Sequence, residues 1–146
     1  EEIGLRGAEM IAHRIKPNVA IITDVCHDTT APLYNKVTSG DQTAGKGPVL
    51  TYGASVHKKL LDLIIAKAKD KSIPFQRAAA SRVTGTDTDA FAYSNEGVPS
   101  ALISLPLKYM HTTVETVSKD DIEQVINLIY EFLVDFDPSF DFRYIS

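Results

Sequence analysis

Two adjacent carboxylates, Glu1-Glu2, a third at Asp24 and an imidazole at His111 are the residues in this chain best suited to chemistry. Carboxylates combined with imidazole form a hard-to-borderline ligand set that suits zinc, cobalt or manganese. Adjacent acids can divide the work, one on a cation and one on the water that the cation activates. Plainer roles are equally open. Glu1 and Glu2 precede a helical segment, where negative side chains suit the positive end of the helix dipole. Asp24 reads as a cap or loop residue, and a single histidine such as His111 is commonly satisfied by its own surroundings. No HExxH, CxxC pair or GxSxG occurs to break the tie.

The elements that must position these residues alternate between strand and helix. Leu5, Ala8, Ala12 and Ile15 recur at helical spacing over residues 4–15, and Pro17 closes that segment. The run Val19 to Val25 is short, apolar and β-branched, as in a strand buried on both faces. Residues 26–47 are polar and read as one long loop, a length that is more often functional than idle.

A short strand is predicted at 48–52 and a helix over 55–70. The helix turns Leu60, Leu61, Ile64, Ile65 and Ala68 inward and its lysines outward. Strands follow at 74–80 and at 101–105, the second ended by Pro106, with the turn-like Thr84 to Ala90 between them. A last helix over about 119–135 presents Ile122, Val125, Ile126, Ile129 and Leu133 as one stripe. Asp120 and Asp121 lie in its first turn, and an aromatic tail beyond Pro138 is placed to dock on the surface or on a partner.

This order implies an α/β, three-layer sandwich around a mixed, largely parallel sheet. Ligands in such sheets collect at the carboxyl ends of strands, where Asp24 and His111 fall.

Composition sets limits. The 146 residues carry a formal charge of -4 with scattered basic side chains, which argues against a nucleic-acid partner. No stretch is apolar enough to span a bilayer, so no membrane partner is expected. The single cysteine, Cys26, excludes an internal disulfide and makes a reducing, cytoplasmic setting the expectation. Cys26-His27 is not read as a nucleophile and base, because neighbours in sequence need not face each other. Gly45-Lys46-Gly47-Pro48 lacks the spacing of a phosphate loop. His13 and His57 are expected on helices and away from any metal.

Five strings stand in order: EEIGLRGA at 1–8, AIITDV at 20–25, GKGPVL at 45–50, GTDTDA at 85–90 and GVPSALISLPLKYMHTTVE at 97–115. Together they resemble the TET-type (glutamyl or deblocking) aminopeptidases, a family of dinuclear metallopeptidases some of whose members are called endoglucanase M. The resemblance covers nearly the whole chain. It implies that residues 1–146 are the C-terminal portion of one metallopeptidase catalytic domain, without its N-terminal portion and its insert or dimerisation domain.

By that resemblance Glu1 is the general base, and Glu2, Asp24 and His111 are metal ligands. Glu2 and His111 serve one ion and Asp24 the other. A further histidine and a bridging aspartate belong upstream, so the fragment alone is expected to be inactive. The implied reaction is removal of N-terminal residues from peptides, using two divalent ions (zinc or cobalt) and a water shared between them. Thr86 and Asp87 are candidate substrate contacts, and a homo-oligomer is the expected assembly. Two other readings remain. One is a non-catalytic, truncated or degenerate relative that only assembles. The other takes the endoglucanase name literally, but a glycosidase sets two carboxylates about a sugar bond, and here the acids accompany a histidine.

Overall fold

The structure, a computed structural model, describes residues 1–32 and 34–145. Ten elements run in the order α1 (Arg6–Ile15), β1 (Ala20–His27), α2 (Lys36–Ser39), β2 (Val49–Tyr52), α3 (Lys58–Asp70), β3 (Gln76–Ala79), α4 (Asp87–Ala92), β4 (Ser100–Lys108), β5 (Thr116–Val117) and α5 (Lys119–Val134). The strands form one sheet in the order β1-β4-β2-β3, with β5 pairing onto β4. β1 and β4 are parallel, as are β2 and β3, while β2 and β5 run antiparallel to β4. Helices α3 and α5 pack together against β4, whereas α1 packs on α4, which rests on β1 and β4. The expected mixed, largely parallel α/β sandwich is the fold observed.

The core lies between the sheet and α3. Leu60, Leu61, Ile64, Ile65 and Ala68 point inward, as the spacing predicts, and meet Leu50, Ala101 and Ile103. On α5 the buried stripe is Val125, Leu128 and Phe132. Ile126 and Leu133, expected inside, are more than half exposed. The reason is geometric. Both stripes are apolar at helical spacing, so periodicity cannot choose between faces rotated by one residue. α1 departs in the same way: it buries only Ala8 and Ala12, and Ile15 stands outside. Two alanines let α1 approach α4 closely, and Asn95 Nδ2 donates to the Ala12 carbonyl at 3.1 Å.

Pro106 does not end β4, which continues to Lys108. Ala20 N–H donates to Pro99 O and Asp28 N–H to Leu107 O, so the odd residues of β4 serve β1. The nitrogen of Pro106 therefore faces the other side, where the pairing of β4 with β2 reaches only Ser104 and its pairing with β5 starts only at Leu107. No ladder bond is lost there, which is where a strand tolerates proline. The predicted loop at 26–47 also starts late, because Cys26 and His27 extend β1, and it carries the short α2.

Two buried carboxylates tie that loop down. Asp121, in the first turn of α5, accepts from Gly45 N–H at 2.7 Å and Gly47 N–H at 2.8 Å. Gly47 has φ +92°, and a side chain there would run into the Pro74 carbonyl. Asp28 accepts from Thr30 N–H at 2.7 Å and Ala44 N–H at 3.0 Å, with Lys108 at 3.8 Å. Burial opposes its charge, yet the bonds from Thr30 and Ala44 and the Lys108 ammonium hold its carboxyl below the usual range.

Candidate metal and active site

Because β1 and β4 are parallel neighbours, with Asp24 beside Ser104, their carboxyl ends emerge side by side. β1 delivers Asp24. β4 leads into a tight reversal in which Tyr109 and His111 take φ of +60° and +62°. His111 N–H donates to Glu115 Oε1 at 2.6 Å and Thr112 Oγ1 to Tyr109 O at 2.6 Å. β5 then pairs back on Leu107 and Lys108 and closes the loop. At the other end of the sequence, Gly4 and Leu5 donate their N–H groups to Glu1 O, which sets Glu1 and Glu2 in a turn ahead of α1.

The result is convergence. His111 Nε2 lies 3.6 Å from Glu2 Oε1. Glu1, Glu2, Asp24, His111 and Thr86 all line one open cavity of about 960 Å³. The Glu1 carboxyl is pushed above its ordinary range by burial first, then by the negative charges of Asp24, Asp87 and Glu2 and a bond with Asp24. Glu2 and His111 are both largely exposed.

Thr86 and Asp87 lie on an element that the sequence reading treated as a turn. Thr86 is the N-cap of α4, its hydroxyl accepting from Thr88 N–H at 3.2 Å, and Asp87 is the first helical residue. The signal was present: a threonine followed by acids is a helix start. Asp87 does not line the cavity wall, but one of its carboxylate oxygens is buried without a hydrogen-bond partner. Asp89 serves architecture, accepting from Ser55 Oγ at 2.5 Å and from the N–H groups of Thr84 and Gly85.

Two further cavity residues pair with each other: His27, set aside above beside Cys26, and Tyr34, which the sequence did not single out. His27 Nδ1 and Tyr34 Oη are 2.7 Å apart, with ring centroids at 5.0 Å. Tyr34 comes from the long loop, which carries no local pattern that points to β1. His57, expected on a helix, is the N-cap of α3, and His13 is exposed on α1.

The donor chemistry fits a divalent cation. Three carboxylates and an imidazole line one cavity, and the neighbouring charges that add to burial in raising Glu1 are the kind that a cation relieves. The number of donors falls short of a closed site. Among the described residues no three of His, Cys, Asp and Glu converge closely enough to hold a metal ion, and a catalytic zinc takes three protein ligands.

A family model for M42 glutamyl aminopeptidases matches residues 1–128. The chain is similar to the lysyl aminopeptidase of Pyrococcus furiosus, with 37% identity over 138 residues, covering 94% of this chain and 39% of that protein. Among solved structures it is similar to a TET aminopeptidase from a marine sediment archaeon of the Thaumarchaeota. That match has a TM-score of 0.86 and 33% identity, over 94% of this chain and 39% of the other. It is also similar to a Pyrococcus horikoshii TET1 peptidase that can assemble into a tetrahedron or a large octahedral shell. Here the TM-score is 0.69 and the identity 31%, over 91% and 38% of the two chains. The 146 residues therefore span about two-fifths of the length of the relatives they match.

Proposed function

The chain belongs to the M42 glutamyl aminopeptidase family, and from that premise we propose that it forms one side of a two-metal centre that removes N-terminal residues from peptides. The observation that carries this reading is the approach of His111 Nε2 to within 3.6 Å of Glu2 Oε1, on the cavity that Glu1 and Asp24 also line.

Glu2 and His111 would hold one divalent ion, zinc or cobalt, and Asp24 the other. A histidine and a bridging aspartate from outside these 146 residues would complete both. Bound there, the ions supply Lewis-acid activation of the attacking water and of the scissile carbonyl. Glu1 takes the proton from that water and hands it to the leaving amine. A carboxyl raised by burial and by neighbouring acids is suited to both transfers, since its proton affinity lies closer to neutrality. Thr86, on the cavity wall, would meet a backbone group of the substrate at some cost to its capping bond, while Asp87, off that wall, would favour the substrate's free amino group through its charge. The lone, half-buried Cys26 fits a cytoplasmic setting. No helix among the described residues is long and apolar enough to cross a membrane. The TET1 relative's shells support a homo-oligomer for the complete protein.

The test uses the complete gene product with zinc or cobalt and amino-acid p-nitroanilides. Cleavage is expected, with loss on Glu1→Gln; activity that survives this change removes Glu1 as the base. A second reading, a non-catalytic assembly module, draws on the lack of a metal-holding trio among the described residues. Anomalous scattering from crystals of the complete protein separates the two. Two metal peaks a few Å apart support the enzyme, and no peak near His111 supports the module.

A further inference from the structure

Past α5 the chain doubles back over the body through a series of aromatic contacts. Phe136 packs on Phe132 with centroids 5.2 Å apart, Phe142 stacks on Phe136 at 6.3 Å, and His57 meets Phe142 edge-on at 5.6 Å. Tyr144 closes the series, stacked on the His57 ring at 4.6 Å. Three polar contacts fix the docked chain to the start of α3. Lys58 N–H donates to Tyr144 Oη at 2.9 Å, and Lys59 Nζ donates to Arg143 O at 2.5 Å and Asp141 O at 3.5 Å. Beneath lies a cavity of about 900 Å³, on which Asn18, Val98 and Pro99 meet the tail.

We propose that residues 136–144 form a latch that docks on the N-terminus of α3 through His57 and is released when that imidazole is protonated. His57 Nδ1 is buried without a hydrogen-bond partner, so a charged ring there would be buried with the Phe142 carbonyl as its one counterweight. The surroundings are wrong for a cation. Lys58 and Lys59 follow directly on α3, whose N-terminus is itself positive. The acids nearby are spoken for: Asp62 pairs with Lys58 at 2.6 Å and Asp141 with Arg143 at 3.0 Å. Glu96 lines the cavity but forms no ion pair with His57. Burial thus holds the imidazole below its ordinary range, with the Phe142 carbonyl opposing and Lys59 reinforcing.

The sign follows. A base whose docked value is lowered stabilises docking fully above its undocked value near 6.5, and that contribution is lost as pH falls below it. Amide hydrogen exchange of the whole protein between pH 8 and 5, corrected for intrinsic rates, reads this at Lys58 and along the tail. Protection is expected to drop by about tenfold for each unit by which docking lowers His57, and His57→Phe, which keeps a ring but cannot titrate, is expected to stay protected throughout. Constant protection in the wild type, or the same acid loss in His57→Phe, overturns the latch. Should His57→Phe fail to dock, imidazole NMR of the wild type decides: a His57 that titrates at its ordinary value under a protected tail also overturns it.

Discussion

Two groups of carboxylates in this domain are put to opposite uses. Asp28 and Asp121 are almost wholly buried, and their oxygens are met by backbone N–H groups of the 28–47 segment. Glu1, Glu2 and Asp24 line an open cavity, the charges of Asp24, Asp87 and Glu2 bear on Glu1, and Asp87, off the cavity wall, keeps an oxygen without a partner. A satisfied carboxylate holds a backbone in place; a crowded, under-satisfied set holds a place for a cation or an ammonium group. Position in sequence does not separate them, because Asp121, in the first turn of α5, and Asp87, in the first turn of α4, fall in different groups.

If the comparison is right, the largest effect comes from the crowded set and leaves stability untouched. Glu1→Gln in the complete, metal-loaded protein is expected to lower kcat by roughly 10²–10⁴-fold, the usual weight of general acid–base catalysis. Thermal unfolding of that variant is expected to match the wild type. A parallel fall in both would make Glu1 a structural acid and erase the distinction.

The satisfied set predicts the reverse. Asp121→Ala strips the acceptor from Gly45 and Gly47 amides in a buried setting, at a cost of about 3 kcal/mol for two orphaned donors. Denaturant unfolding measures it, and a change below 1 kcal/mol would mean that the loop finds other partners. Gly47→Ala acts on the same hinge through sterics: a positive φ and the Pro74 carbonyl leave no room, so about 2 kcal/mol is expected.

Acid separates the sets on a third axis. Asp28 is held below the ordinary carboxylate range, so its charged form stabilises the fold above that range, and this contribution is lost as pH falls through the lowered value. Unfolding measured from pH 6 to pH 2 is expected to show a decline in the wild type that Asp28→Asn lacks. An identical decline in both would assign the acid sensitivity elsewhere.

How much of this was legible in the chain depends on whether a signal is local. The α3 core stripe, β1 and the start of β4 follow from periodicity and β-branched runs, and those elements stand where the pattern put them. The convergence of Glu2 with His111 was legible only through family resemblance, since it depends on how the turn ahead of α1 meets the loop after β4. The inward face of α5 and the passage of β4 through Pro106 were not legible. Each is decided by which neighbour a strand or helix meets, and that information lies far away in sequence. Asp121 shows the limit most clearly: legible as a first-turn acid of the last helix, it is also the acceptor for a loop more than seventy residues earlier.

The smallest effect bears hardest on the comparison. Glu2 is largely exposed, its contact with His111 is 3.6 Å, and such a pair contributes little to stability on its own. Glu2→Gln is therefore expected to change the unfolding free energy by less than about 0.5 kcal/mol, as for a surface substitution. It also removes one of the charges that repel Glu1, so any shift is expected toward greater stability. Zinc titration of the complete protein by calorimetry is expected to move in the other direction, with affinity falling at least tenfold as one ligand is lost. A structural acid would give the opposite pattern, a loss of stability with metal binding intact. Either result places Glu2 in one set or the other, because no single role for the side chain predicts both.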